Sequence, residues 1–257
     1  MSEIQVNMLK KKYGDKYVLK GINLNIDAGQ VVGYIGPNGA GKSTTIKIIS
    51  GIIDDFDGDV SVFGLDVRKH SLEIKQRIGY IPEQAALYDV LTPIEYLRFV
   101  GKLYSLNDDV IENKSWELLR IFELADKAEA RMNSYSKGMK QKVLLISGLM
   151  HNPEVIFLDE PLSGLDANAV ILVKEILTQL KNSGKTIFYS SHIMDVVEKI
   201  SDRIIIIDRG DVIADGSFET LKQQAHKGSL ENIFTSLTGG DEHNASTAKE
   251  FINVLRS

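Results

Sequence analysis

The sequence predicts an α/β protein: a mixed sheet core, an N-terminal antiparallel β subdomain and an inserted helical subdomain. Three observations predict it. Two near-continuous apolar runs, Val155-Ile156-Phe157-Leu158 and Thr186-Ile187-Phe188-Tyr189, read as parallel strands covered on both faces. Near the start, Ile4, Val6 and Met8 alternate with polar residues, as do Ile22, Leu24 and Ile26, which is the pattern of half-buried strands. From about Gln84 to Met150 the apolar spacing becomes helical.

The elements follow in order. Val31-Val32-Gly33-Tyr34-Ile35 is strand-like, and after residue 43 a helix carries Ile46 and Ile49, with Ile52 or Ile53 a turn further on. Asp57-Gly58 marks a turn before a short strand at Val60 and Val62. Arg77 to Ile81 reads as a strand stopped by Pro82. Thr92-Pro93-Ile94-Glu95 is a capping box with proline at the first helical position, and Leu97, Val100 and Tyr104 continue its face. Trp116, Leu119 and Phe122 mark a second helix, and Val143, Ile146 and Met150 a third. Val170, Val173, Ile176 and Leu177 predict a helix between the two apolar strands. Ile204 to Ile207, Arg209-Gly210-Asp211 and Val212-Ile213 read as a hairpin. The expected division is a main α/β domain over 1–225, with a helical subdomain inserted at about 85–150, and a short helical tail over 226–257. In that tail, read as an appendage, a helix is expected near Ser229 to Leu237. A polar linker runs from Gly239 to Ser246, and a capping box at Thr247-Ala248-Lys249-Glu250 opens a last helix.

Gly36-Pro37-Asn38-Gly39-Ala40-Gly41-Lys42-Ser43 fits G-x-x-x-x-G-K-[ST] and sits between strand and helix, where a phosphate-binding loop belongs. Glycines let the backbone wrap a phosphate with its N–H groups turned inward, and the helix N-terminus adds partial positive charge. Gly36 to Ser43, with Thr44, are therefore the candidate nucleotide contacts. Lys42 is expected at the β/γ-phosphates and the Ser43 hydroxyl on Mg²⁺. The strand from Val155 ends in Asp159 and Glu160, placing a metal-holding carboxylate beside a candidate base for the attacking water.

Composition excludes other classes. The 257 residues are 43% hydrophobic and 25% charged, an ordinary globular profile. With no cysteine there is no disulfide and no cysteine metal site, which suits a reducing cytosol. A net charge of −5 argues against a nucleic-acid partner. No apolar run reaches the length of a membrane span, and the start has no secretory signal. If membranes matter, another chain supplies the span.

The order of these motifs resembles the nucleotide-binding subunits of ATP-binding cassette (ABC) transporters, over about Ile4 to Leu221. By that resemblance Tyr13 stacks on adenine, with Tyr17 as the alternative. Gln84 is similar to the glutamine that joins core to helical subdomain near the catalytic metal. Tyr135-Ser136-Lys137-Gly138-Met139-Lys140-Gln141 resembles the signature motif, in which Ser136 and Gly138 meet the γ-phosphate held by another subunit. Asp166 ends the loop Ser163-Gly164-Leu165-Asp166, and His192 resembles the switch histidine that contacts the γ-phosphate. Lys137 stands where the family has glycine and is expected to point to solvent. The resemblance implies ATP and Mg²⁺, two ATP molecules at a head-to-tail dimer (homomeric or heteromeric), and a separate transmembrane permease on the membrane's cytoplasmic face. The Ser-Lys-Gly-Met form points to export. The alternative is a soluble cassette ATPase in translation or DNA maintenance, which would carry a second cassette or a long coiled coil. A guanine-nucleotide switch would need Asn-Lys-x-Asp, and Asn113-Lys114-Ser115-Trp116 lacks the acid. A non-hydrolysing regulatory cassette would lack the base or the histidine, and both are present.

Overall fold

A computed structural model describes residues 2–84, 87–225, 228–239, 251, 254 and 255. Its centre is a six-stranded mixed sheet. The strands are β3 (Val31–Ile35), β6 (Ile78–Ile81), β7 (Val155–Asp159), β8 (Thr186–Ser190), β9 (Arg203–Asp208) and β10 (Asp211–Gly216), in the order β10-β9-β3-β8-β7-β6. All neighbours are parallel except the β9–β10 hairpin. Because side chains alternate across a strand, this sheet feeds two cores. Ile35, Ile156, Leu158, Ile187, Tyr189 and Ile206 face one side; Tyr34, Phe157, Phe188, Ile205 and Ile207 face the other.

The second side is closed by a four-stranded antiparallel sheet: β1 (Ser2–Tyr13), β2 (Lys16–Asp27), β4 (Asp57–Val62) and β5 (Leu65–Asp66), in the order β2-β1-β4-β5. Between the two sheets lies α1 (Lys42–Ile49), with Ile46, Ile48 and Ile49 fully buried. The predicted extension of this helix to Ile52 or Ile53 does not form. The chain leaves at Ser50, and Gly51 takes a left-handed φ of 68°. The alternation in β1 also breaks. A bulge at Met8 (φ 49°) turns that side chain to solvent and hands its core position to Leu9.

The first side is covered by helices. The insertion holds α3 (Pro93–Leu103), α4 (Asp108–Ile121) and α5 (Lys137–Leu149); their buried Leu97, Ile111, Leu119 and Ile146 run into one core with the sheet. The α3 capping box forms as read, with Glu95 N–H donating to Thr92 Oγ1 at 3.2 Å and Thr92 N–H to Glu95 Oε2 at 2.8 Å. Trp116 faces outward and donates to Glu112 Oε1 at 2.9 Å. α6 (Ala167–Asn182) joins β7 to β8 as predicted. Three short α-helices have no counterpart among the elements read from the sequence: α2 (Ser71–Arg77), α7 (Met194–Ile200) and α8 (Phe218–Ala225). Arg77 accordingly ends a helix and β6 begins one residue later.

The expected tail helix is α9 (Leu230–Thr238), capped by Ser229 and ended by Gly239 at φ 73°. It is no loose appendage. Leu230 and Ile233 are fully buried in the core, and Leu230 N–H donates to Glu198 of α7 at 3.3 Å. The capping box at 247–250 and the linker beyond Gly239 lie outside the described residues.

Candidate active site

Ligands of a parallel sheet bind at the carboxyl edge of its strands, and three strand ends converge there: β3 running into residues 36–43, β7 ending at Asp159, and β8 ending at Ser190. The loop after β3 is fixed from behind. Gly36 lies so close to Ile207 that a Cβ would sit 2.2 Å from its carbonyl oxygen, and Gly41 holds φ 113°. Arg209 and Gly210, both at positive φ, make the two-residue β9–β10 turn; Gly210 N–H then donates to Ala40 O at 3.0 Å. The hairpin thus holds the loop in place. Lys42 is buried, and its Nζ donates to Gly36 O at 2.7 Å and Pro37 O at 3.2 Å. Burial lowers its pKa, opposed by the carboxylates of Glu160, Asp159 and Glu83.

Asp159 is buried and accepts from Ser190 Oγ at 2.7 Å. Glu160 turns off the strand at φ 50°, its N–H donating to Ser190 O at 3.2 Å. His192 N–H donates to Glu160 Oε2 at 3.1 Å. His192 Nε2 also lies 3.1 Å from Glu160 Oε1, but off the hydrogen-bonding line, so this buried oxygen has no hydrogen-bond partner. Burial raises the Glu160 pKa, with the neighbouring His192 acting against it. A buried acceptor without a partner, beside a buried lysine, is suited to hold a water.

These side chains line one cavity of about 380 Å³, with Tyr13, Lys16, Val18, Asn38, Gly39, Gly41, Ser43 and Thr44. Tyr13 is in it, with Lys11 Nζ 4.9 Å over its ring; Tyr17 lies instead in a neighbouring cleft with Arg209. Gln84 is not among the lining residues. It opens with Tyr135, Lys137 and Gln141 onto an adjacent cleft, and Glu83 reaches both. Sequence reading missed Glu83 and Lys16. The sequence signal for Glu83 is its place just past a strand end, one residue before Gln84.

Residues 135–141 do not line the phosphate-loop cavity among the described residues. Ser136 caps α5, its Oγ accepting from Met139 N–H at 3.2 Å. Lys137 does not simply point to solvent: its Nζ donates to Ser163 Oγ at 3.0 Å and its stem crosses Gly164. A Cβ on Gly138 would meet Gly164 O at 2.6 Å, so glycine is required there by its own chain. Asp166 caps α6 by accepting from Ala169 N–H at 3.0 Å, the bond that depresses its pKa.

Residues 19–163, more than half of the chain, match the ABC transporter family model. The chain belongs to the ABC transporter family. It is 40% identical over 83% of its length, and 69% of the relative's, to the linearmycin resistance ATP-binding protein LnrL of Bacillus subtilis. It is 38% identical over 85% of its length, and 89% of the relative's, to the ABC transporter ATP-binding protein NatA of the same organism. A solved ATP-binding subunit of an ABC transporter superposes with a TM-score of 0.86 at 33% identity, covering 92% of this chain and 99% of that one. A dimeric ATP-binding cassette in a post-hydrolysis state, bound to ADP and Pi, gives 0.78 at 27% identity over 83% and 98%. The cassette is an ATPase that binds ATP. Among its described residues no helix is long and apolar enough to cross a membrane.

Proposed function

We propose that this cassette drives a separate membrane permease, acting as an exporter, by binding two ATP molecules between two copies placed head to tail. The observation that carries the reading is a division of the site. Asn38, Gly39 and Gly41 to Thr44 of the phosphate loop share one cavity with Asp159, Glu160 and His192, while the signature end of α5 opens elsewhere. A second copy would complete the site with its own Ser136 and Gly138 at the γ-phosphate. Relatives of this chain include ATP-binding proteins named for resistance to linearmycin and daunorubicin and for Nod factor export, which supports export.

Within the cavity, Lys42 would take the β/γ-phosphates and Tyr13 the adenine. Glu160 would accept a proton from the attacking water through its unpartnered Oε1, and His192 would donate to the γ-phosphate. Ser43 and Asp159 are hard oxygen donors in one cavity and fit Mg²⁺, which supplies charge neutralisation at the phosphates. The cassette would work at the cytoplasmic face.

The permease would dock on the helical block. There, exposed Tyr88, Val90, Phe99 and Leu103 make an apolar surface, with the Tyr88 and Phe99 rings edge to face at 5.9 Å. A photo-cross-linker at position 88 should capture a co-purifying chain with several membrane spans. Capture only from exposed positions outside the helical block, such as Leu72 or Ile171, would contradict the docking.

A further inference from the structure

His192 sits mid-way along the short link between β8, which ends at Ser190, and α7, which starts at Met194. Ile193 is the N-cap of α7 and has no side-chain oxygen to hold the helix start. The place of α7, and so of the link before it, is set by what packs on it. From the sheet side, the Tyr189 hydroxyl lies 3.0 Å from Ser201 Oγ and 3.4 Å from Val196 O. From the other side comes α9, which has two faces. Leu230 and Ile233 share the core with Val196 and Val197 of α7, and Leu230 N–H donates to Glu198 Oε2 at 3.3 Å. Glu231, Phe234 and Thr235, spaced i, i+3 and i+4, form the second face. That face lines a cavity of about 350 Å³ together with Pro37 and Asn38 of the phosphate loop, His192 and Met194. Phe234 and Met194 both pack against the same core.

We propose that the tail helix α9 sets the position of His192, with Glu198 and Phe234 as the positioning residues. The inference rests on His192 acting at the γ-phosphate. A group that must meet a reacting atom within hydrogen-bond reach is useful only if its support is rigid, and a misplacement of about 1 Å can cost on the order of a hundredfold in rate. Glu198 ties α7 to the first turn of α9, and Phe234 backs the cavity into which His192 and Met194 face. The phosphate loop across that cavity has its own support, since Gly210 of the β9–β10 turn donates to Ala40 O at 3.0 Å. Loosening α9 therefore disturbs the histidine while leaving the nucleotide's main grip in place.

The test is steady-state ATP hydrolysis by the full chain, with a thermal melt of each variant. Glu198→Ala and Phe234→Ala should each lower kcat about tenfold and move KM by less than about threefold. Glu198→Gln, whose amide oxygen can still accept from Leu230 N–H, and Phe234→Leu should restore most of the rate. Asn232→Ala, exposed on α9 and outside the cavity, should change neither constant. In a His192→Ala chain the same substitutions should cost nothing further, because the group they position is gone. If Phe234→Ala does not melt cooperatively, Glu198→Ala, which leaves the core residues in place, decides alone. Wild-type kcat in the folded alanine variants, or a full multiplied loss on top of His192→Ala, would overturn the inference while leaving His192 in its role. A His192→Ala chain that hydrolyses at the wild-type rate would instead remove the role on which the inference rests.

Discussion

A Lys42→Ala chain is expected to lose all measurable ATP turnover and most of its affinity for ATP. Lys42 is buried, and its ammonium donates to the carbonyls of Gly36 and Pro37. Alanine therefore removes the brace of the phosphate loop along with its cation. Charge-assisted hydrogen bonds are roughly twice as strong as neutral ones, and each is worth about 1.5–3 kcal/mol net. Two such contacts to the β/γ-phosphates amount to at least about a hundredfold in affinity at 1.4 kcal/mol per tenfold. Fluorescent ATP titration and phosphate release check it together. Near-normal hydrolysis by this variant would mean that residues 36–43 do not hold the nucleotide.

Glu160→Gln should act on a different step. The amide keeps the volume and the contact with His192 N–H but cannot take a proton from water. A positioned general base is worth about 10²–10⁴-fold, so hydrolysis should slow by at least about two orders of magnitude with ATP binding preserved. The wild type carries a second signature of the same residue. Glu160 must be ionised to act, and burial raises its pKa. Its rate should therefore fall on acidification from a pH above the ordinary carboxylate range, and the residual rate of Glu160→Gln should lack that limb. A variant that hydrolyses at the wild-type rate would remove Glu160 from the chemistry.

The parts of the fold visible in the sequence are those in which local pattern and tertiary burial agree. β7 and β8 are apolar at successive positions because both sheet faces are covered, and α3 announces itself through Thr92 and Glu95. The Arg209-Gly210 turn is equally readable, since its two residues must take positive φ. Two of the missed helices bury too little to leave a period: α2 buries only Ile74, and α8 only Leu221. The third, α7, is only seven residues long, so its buried Val196, Val197 and Ile200 span less than two turns. Met8 continues a clean alternation, and nothing local shows that a bulge will pass its place to Leu9. A helix near Ser229 to Leu237 is readable and forms as α9, but nothing local shows that it packs on α7.

The candidate site divides the same way. The phosphate loop and Asp159-Glu160 are contiguous in sequence and adjacent to strands, so their convergence could be read directly. Glu83 against Gln84 is a matter of one residue on an irregular segment past the end of β6, where no periodicity says which of the two lines the cavity. The Lys137 contact with Ser163 joins residues on two elements and has no sequence signal.

The central claim is that one site takes Lys42 and Glu160 from one copy and Ser136 from another. Mixing two inactive chains, Ser136→Arg and Lys42→Ala, and measuring phosphate release tests it most directly. In a mixed dimer both lesions fall on one site, leaving the other with a normal phosphate loop and a normal signature, and random pairing leaves about a quarter of all sites intact. The account predicts that activity absent from each chain alone returns on mixing and rises with protein concentration. A mixture as inactive as its parts, or a Ser136→Arg chain that hydrolyses ATP normally by itself, would contradict it.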